Sequence, residues 1–150
     1  MKSVFSEENW LQKLLDVEGA LAQAHAEVGN IPKEDAENIN NAVDEQLVKL
    51  DRVKEIEKEI RHDLMSVVKA LAEQSGTSGK YVHLGATSYD TEDTARALQF
   101  KDAAMLLRDN LERLKSVLAG LAEKHKGTVM SGRTHGQVAV PITFGLKMAV

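Results

Sequence analysis

Apolar residues recur at helical spacing along most of the chain, and the breaks between these runs divide it into predicted helices. The first run begins after Ser6, which is suited to cap a helix, and it stops at Gly29-Asn30, which is suited to end one. The apolar positions of this run, spaced by three or four residues, are Leu14, Val17, Leu21, Ala24 and Val28.

Two further helices are predicted before residue 75. Pro32 fits the start of a short, polar helix, which we expect on the surface. The next run predicts one continuous helix, capped by Asp51 and stopped by the Gly/Ser segment 75–79. Its apolar stripe consists of Val53, Ile56, Ile60, Leu64, Val67 and Leu71.

The longest periodic run predicts a helix from about Tyr89 to His125. Beyond Gly127, β-branched residues on both sides of His135 predict short extended pieces, and Pro141 is expected to start another helix. That helix reaches Val150 without a cap or a polar tail, so we expect the chain to be a piece of a longer protein. The leucines of the long run, at coiled-coil-like spacing, are Leu107, Leu111, Leu114, Leu118 and Leu121.

Composition supports an all-α fold. The chain of 150 residues is 43% hydrophobic and 28% charged, with only 4% aromatic residues, and its abundant Ala, Leu, Glu and Lys favour helix over sheet. The formal net charge of -4 carries no basic patch, which argues against a nucleic-acid partner. No apolar run approaches the ~20 residues of a membrane span. The absence of cysteine excludes thiol chemistry and fits a reducing, cytoplasmic compartment.

A compact set of polar residues interrupts the helical pattern at Ser131 to Gln137. Histidine is a side chain that can act as an acid or a base near neutral pH, which makes His135 a candidate for catalysis. Gly132 and Gly136 permit tight backbone geometry around it. Arg133 and Gln137 can donate hydrogen bonds to a carboxylate. An ordinary loop with a surface histidine is the alternative reading of this segment taken alone.

Two other segments carry candidate chemistry. Arg61, His62 and Asp63 follow one another within a predicted helix, so their side chains fan out and cannot all face the core. Gly85 to Thr94 places hydroxyls and backbone N–H groups at the start of the long helix, where the helix dipole favours an anion. A solvated helix face explains the first segment equally well, and capping by Thr87 or Ser88 explains the second.

Together, the three segments resemble the adenylosuccinate lyase family of the fumarase/aspartase superfamily. The matching stretches are Arg-His-Asp at 61–63, Val-His-Leu-Gly-Ala-Thr-Ser-Tyr-Asp at 82–90, and Ser-Gly-Arg-Thr-His-Gly-Gln at 131–137. The likeness extends from about Phe5 to Val150. Argininosuccinate lyases and fumarases match less well, and the cycloisomerase branch usually lacks a histidine at the position of His135.

This resemblance implies an N-terminal helical domain over 1–88 and the start of a central long-helix bundle over 89–150. It implies β-elimination of fumarate from adenylosuccinate, giving AMP, and from the succinyl-carboxamide ribotide of purine synthesis. It implies no metal or organic cofactor. It further implies a cytoplasmic homotetramer in which each active site draws residues from several subunits.

The resemblance also assigns roles to individual residues. His135 is expected to be the catalytic general acid. His83 lies within the matching motif without an assigned role. The residues expected to bind substrate are Arg61, His62, Asp63, Thr87, Ser88 and Gln137.

Two parts of the family pattern are not found in this chain. The Arg-Tyr pair that contacts the substrate phosphate should precede Phe5, where only Met1-Lys2-Ser3-Val4 stands. The mobile loop whose serine is the candidate base should follow Val150. We therefore expect residues 1–150 alone to be inactive. The remaining alternatives are another lyase or cycloisomerase of the superfamily, and a non-catalytic helical scaffold.

Overall fold

The computed structural model describes all 150 residues, Met1 to Val150. Helices dominate it and the only sheet has two strands, which confirms the all-α fold class. Residues Met1–Ala103 form one compact unit and Ala104–Val150 a second. The helices are α1 (Glu7–Glu27), α2 (Lys33–Asp44), α3 (Leu50–Ile60), α4 (Asp63–Gln74), α5 (Ser88–Lys124) and α6 (Phe144–Ala149), and the strands are β1 (Val129–Thr134) and β2 (Gln137–Thr143).

Helix α1 has the predicted ends but buries a different face. The Ser6 hydroxyl accepts the N–H of Asn9 at 3.2 Å, and Gly29 takes a positive φ of 81° after the last turn. Val28, predicted to lie on the apolar stripe, is exposed. The helix instead turns toward its bulky leucines, because they supply most of the apolar area that packing can remove from water. The buried apolar residues are Leu11, Leu14, Leu15, Ala22 and Ala26.

Helix α2 packs closely on α1, although its polar sequence predicted a surface helix. It buries one apolar face, made of Ala36, Ile39, Ala42 and Val43. The helices approach at Gly19, where an added Cβ would lie 2.6 Å from the Asn40 side-chain oxygen. The Asn40 amide donates to the Gly19 carbonyl at 3.2 Å, which fixes this crossing.

The third predicted helix is in fact two helices. Helix α3 ends at Ile60, Arg61 takes a left-handed conformation with φ 53°, and α4 begins at Asp63. Asp51 is not the cap, because it lies in the first turn of α3, behind Lys49 and Leu50. Both helices present apolar residues to one core, so the stripe reads as continuous across the break.

The second unit contains the end of α5, the β1–β2 hairpin and α6. Helix α5 begins and ends within one residue of the prediction. The predicted extended pieces around His135 form an antiparallel pair in which Thr134 lies opposite Gln137. Pro141 does not start a helix. It pairs with Ser131 inside β2, which proline tolerates in a hairpin whose strands are both edge strands.

The division into an N-terminal domain (1–88) and a bundle domain (89–150) stays a prediction. Residue 88 is the first residue of α5, whereas the compact units divide inside this helix, after Ala103. None of the helices combines the length and the apolar character that crossing a lipid bilayer requires.

A bidentate ion pair joins α3 to α4 and predicts a pH-dependent contribution to stability. Arg52 donates to both carboxylate oxygens of Glu73, at 2.8 and 2.9 Å, and this pairing holds the pKa of Glu73 below its usual value of 4.5. A carboxyl whose pKa is lower in the folded chain stabilises the fold above its unfolded pKa, and the effect is lost as pH falls. Glu73→Gln should therefore lower stability near neutral pH.

Urea unfolding followed by circular dichroism checks this prediction. The difference between the wild type and Glu73→Gln should persist down to about pH 4.5 and disappear below it, and added salt should shrink it. Glu55→Gln is the matched control, because Glu55 binds the same arginine within α3 and joins no second helix. Equal pH profiles for the two variants would contradict the prediction.

Candidate functional site

Arg61, His62 and Asp63 form the break between α3 and α4 rather than one face of a helix. All three side chains are exposed. They line an open groove together with Lys54 and Lys58. The ammonium of Lys54 is paired with Glu7 at 2.6 Å, and this hydrogen bond raises the pKa of Lys54. The Arg61 guanidinium has no partner within the chain, so it is available to an anion.

His62 caps helix α4 with its ring. Its Nδ1 lies 3.3 Å from the backbone nitrogen of Met65 and 3.4 Å from Oδ1 of Asp63. The first contact needs an Nδ1 without a proton and the second an Nδ1 that carries one, so only one of the two hydrogen bonds can form at a time. In both cases Nε2 has no partner in the chain and remains free for a ligand.

The carboxylate of Asp90 caps the start of α5, whereas the sequence suggested the hydroxyl of Thr87 or Ser88. The Asp90 carboxylate accepts the N–H of Thr87 at 2.9 Å, and the Asp90 N–H donates to the Thr87 carbonyl at 3.0 Å. This is the reaching-back half of a capping box. The hydroxyls of Thr87 and Ser88 make no hydrogen bond in the chain, so capping does not account for them.

Helix α5 has 37 residues, and its first turn offers the donors that an anion needs. The first N–H groups of a helix have no partner inside it, and its dipole favours negative charge there. Two hydroxyl donors, Thr87 and Ser88, stand beside those N–H groups. The arrangement fits a carboxylate, which accepts several hydrogen bonds at once.

His135 occupies the tip of the β1–β2 hairpin. Its φ is 49° and that of Gly136 is 76°, as a two-residue type I′ turn requires. The ring is exposed and has no partner in the chain, and Gln137 is exposed beside it at the start of β2. Gly132 is required in β1, because a Cβ there would lie 2.5 Å from the Val140 carbonyl oxygen.

Backbone strain is concentrated in the three chemistry-bearing segments. Only four residues other than glycine have a positive φ, and they are Gln46, Arg61, His83 and His135. Three of the four therefore belong to the segments singled out by the sequence. This conformation costs about 1–3 kcal/mol for a residue with a side chain, and such strain tends to collect at functional sites.

The candidate residues are distributed over both units. Arg61, His62, Asp63, Thr87 and Ser88 belong to the first, where Asp63 and Glu92 line one cavity. His135 and Gln137 belong to the second. The remaining histidines have internal partners: His25 and His83 bond to the first unit, and His125 stacks edge-on against Phe144 with ring centres 5.1 Å apart.

Sequence reasoning missed Glu18, a carboxylate buried within the core face of α1. It is 1% exposed and bonds to both His83 and Thr91. A signal for it exists in the sequence, because Leu11, Leu15 and Ala22 place position 18 on the same helix face. A charged residue at such a position is rarely fully buried unless it is paired.

Comparison with known proteins identifies the family of this chain. The sequence model of the family described as "Lyase" matches residues 1–150, and the chain belongs to this lyase family. A relative from Pyrococcus horikoshii, "Adenylosuccinate lyase", is 59% identical over 150 residues, which are 100% of this chain and 33% of the relative. The chain thus spans about a third of the length of the curated relatives it matches.

Solved structures share the fold. A fumarate lyase from Mesorhizobium sp. BNC1 is 36% identical with a TM-score of 0.92, over 99% of this chain and 35% of that one. A beta-carboxy-cis,cis-muconate cycloisomerase from Acinetobacter calcoaceticus is 32% identical with a TM-score of 0.90, over 99% of this chain and 36% of that one. The helical arrangement is therefore common to several chemistries of this superfamily.

The strained conformation of Arg61 gives a prediction about the stability of the fold. Arg61→Gly should leave the free energy of unfolding unchanged or raise it by up to about 1 kcal/mol, because glycine adopts the left-handed conformation without a steric cost. Arg61→Val should lower it, since a β-branched residue fits that conformation worst. Chemical denaturation of the two variants checks the order. Equal losses in both would show that the Arg61 side chain contributes to the fold.

Proposed function

We propose that this chain contributes substrate-binding residues and the general acid to an adenylosuccinate lyase. The observation that carries the proposal is the pattern of strain and free donors: the backbone is strained at Arg61 and His135, and both side chains are exposed and unpartnered. The 59% identity to the Pyrococcus horikoshii relative supports the particular substrate.

The proposed reaction is a β-elimination. A base removes the proton from the carbon next to a carboxylate, the electron pair forms the carbon–carbon double bond of fumarate, and the C–N bond breaks. The departing nitrogen of AMP takes a proton from an acid, for which we propose His135. The base is not assigned to any residue of this chain, and the same chemistry acts on the succinyl-carboxamide ribotide.

Charge that develops on the substrate carboxylate must be stabilised by donors already in place. We propose that Thr87 and Ser88 provide them, together with the free N–H groups of the first turn of α5. Arg61, His62, Asp63 and Gln137 bind other parts of the nucleotide. Guanidinium groups suit phosphate and carboxylate because they donate two parallel hydrogen bonds.

The proposed protein is a cytoplasmic homotetramer with shared active sites. In support, α5 continues beyond the first unit with a row of exposed leucines, Leu107, Leu111 and Leu114. Large exposed apolar patches usually mark an interface. A non-catalytic scaffold would use this row as well, but it has no use for strained, unpartnered polar residues.

Substitution of His135 tests the assignment of the acid. His135→Asn retains a residue that tolerates the left-handed turn, so the hairpin should form and the melting temperature should stay close to that of the wild type. The gene product that contains residues 1–150 should lose about 10²- to 10⁴-fold in kcat for adenylosuccinate. A variant with wild-type kcat would remove His135 from the mechanism.

The substrate class is tested by offering the same gene product adenylosuccinate, argininosuccinate, fumarate and a carboxymuconate, and following ultraviolet absorbance. Turnover of adenylosuccinate alone is the expected result. Turnover of the carboxymuconate instead would assign the chain to the chemistry named for the Acinetobacter structure. Purified residues 1–150 should turn over none of these compounds, and fumarate release by them would contradict the expected inactivity.

A further inference from the structure

The buried carboxylate of Glu18 is a feature that the proposed reaction does not use. Its Oε1 accepts two hydrogen bonds, from Nδ1 of His83 at 2.7 Å and from the Thr91 hydroxyl at 2.9 Å. Its Oε2 is equally buried and has no hydrogen-bond partner. Leaving a buried acceptor unsatisfied costs about 1–3 kcal/mol, so packing alone would favour an apolar residue at this position.

The two donors stand on either side of the candidate carboxylate-binding residues. His83 precedes Thr87 and Ser88 in the connection to α5, and Thr91 follows them in the first turns of the helix. One oxygen atom of α1 therefore binds both flanks of this short segment. A shift of either flank would break a buried hydrogen bond to Glu18.

His83 is the strained member of this arrangement. Its φ is 61°, and its ring is 11% exposed. Because a carboxylate oxygen can only accept, Nδ1 of His83 is the protonated nitrogen in the bond to Glu18. A strained conformation persists only where the surroundings over-determine it. The short bond to a fully buried carboxylate provides that restraint.

A second contact from α1 restrains the next residue. Nε2 of His25 lies 2.8 Å from the Leu84 carbonyl oxygen, and Nδ1 of His25 lies 2.9 Å from the Asn30 side-chain amide. The carbonyl can only accept and the amide nitrogen can only donate, so the ring tautomer is fixed with its proton on Nε2. Gly85 follows with φ 72°, close to the His25 ring.

We infer that Glu18 is a positioning residue, which holds residues 83–91 in the conformation that presents the Thr87 and Ser88 hydroxyls to a substrate carboxylate. The inference rests on the proposed function for the identity of the substrate. Glu18 itself is fully buried and does not touch the substrate. The unsatisfied Oε2 of Glu18 lowers the stability of the fold. In return, Glu18 holds the Thr87 and Ser88 hydroxyls in place for substrate binding.

The test compares three variants of the gene product that contains residues 1–150. Glu18→Met keeps the approximate side-chain volume but removes both carboxylate oxygens, and with them the acceptor for His83 and Thr91. Thr91→Val removes only the bond on the α5 side. Gln99→Met is the matched control, because Gln99 lies in the same helix and loses a buried hydrogen bond to the Val4 carbonyl, 2.8 Å long, that is unconnected with residues 83–88.

Three measurements are made on each variant: hydrogen exchange of the amides of residues 83–88, the inhibition constant of succinate as a dicarboxylate probe, and KM and kcat for adenylosuccinate. Glu18→Met should speed exchange at least tenfold and should raise both the inhibition constant of succinate and the KM about tenfold. Thr91→Val should change them in the same direction by less. Gln99→Met should lower the melting temperature while succinate binding and exchange in this segment stay as in the wild type.

The outcomes separate this inference from the proposed function. If the wild type does not cleave adenylosuccinate, the proposed function fails, while hydrogen exchange still reports whether Glu18 restrains the segment. If the wild type cleaves it and Glu18→Met keeps wild-type exchange, succinate binding and KM, the inference about Glu18 is wrong. A fall in melting temperature alone, with exchange in this segment, succinate binding, KM and kcat all unchanged, would also overturn it, because that pattern indicates a purely structural role. Should Glu18→Met fail to fold, Thr91→Val decides on the same readouts.

Discussion

The packing of α1 is the constraint on which the first unit depends. One face of this helix buries Leu14 and Leu15 in the core that α2, α3 and α4 share. Gly19 lets α2 approach so closely that a side chain at this position would collide with Asn40. Burial of a leucine side chain contributes roughly 1.5–3 kcal/mol, so these contacts fix the orientation of α1. Every residue on its other faces is placed by that orientation.

The same orientation brings polar groups of α1 to the segment before α5. Glu18 reaches His83 and Thr91, and His25 reaches the Leu84 carbonyl. These contacts join residues that are far apart in sequence, and they require α1 to be fixed first. The conformation of the candidate carboxylate-binding segment is therefore a consequence of core packing, and it is not determined by its own sequence alone.

Local signals in the sequence were sufficient for the helices that have caps and stops. The start of α1 at Ser6, its end near Gly29 and the full length of α5 follow from side chains within a few residues. The break at Arg61 could not be read in this way, because Ile60 and Leu64 keep helical spacing across it. Only tertiary packing of α3 against α4, aided by the Arg52–Glu73 pair, requires the chain to turn there.

Two further errors have the same origin. The face predicted to be buried on α1 was partly wrong, because residue spacing alone does not distinguish two adjacent faces of a helix. The buried face is the one that carries the bulky Leu11, Leu14 and Leu15. Pro141 suits the first turn of a helix, yet its β-branched neighbours Ile142 and Thr143 pair across the hairpin with Met130 and Val129 of β1. For the candidate site, the sequence singled out three polar segments, and it did not reveal that Arg61, His83 and His135 have strained backbone conformations.

The polar residues of the three segments divide into two groups by their hydrogen bonds. Asp90 and His83 are hydrogen-bonded to other residues of the chain, as is His25 of α1, and these bonds restrain the backbone. Thr87 and Ser88 lie between His83 and Asp90 in sequence, and their side chains, like that of His135, have no hydrogen-bond partner in the chain. A segment selected only for folding would gain nothing from leaving donors free beside strained residues. Residues of the first group restrain the backbone, and those of the second group are the ones that we propose to bind substrate. Residues 83–91 contain members of both groups, and the contacts with Glu18 and His25 of α1 hold this whole segment in place.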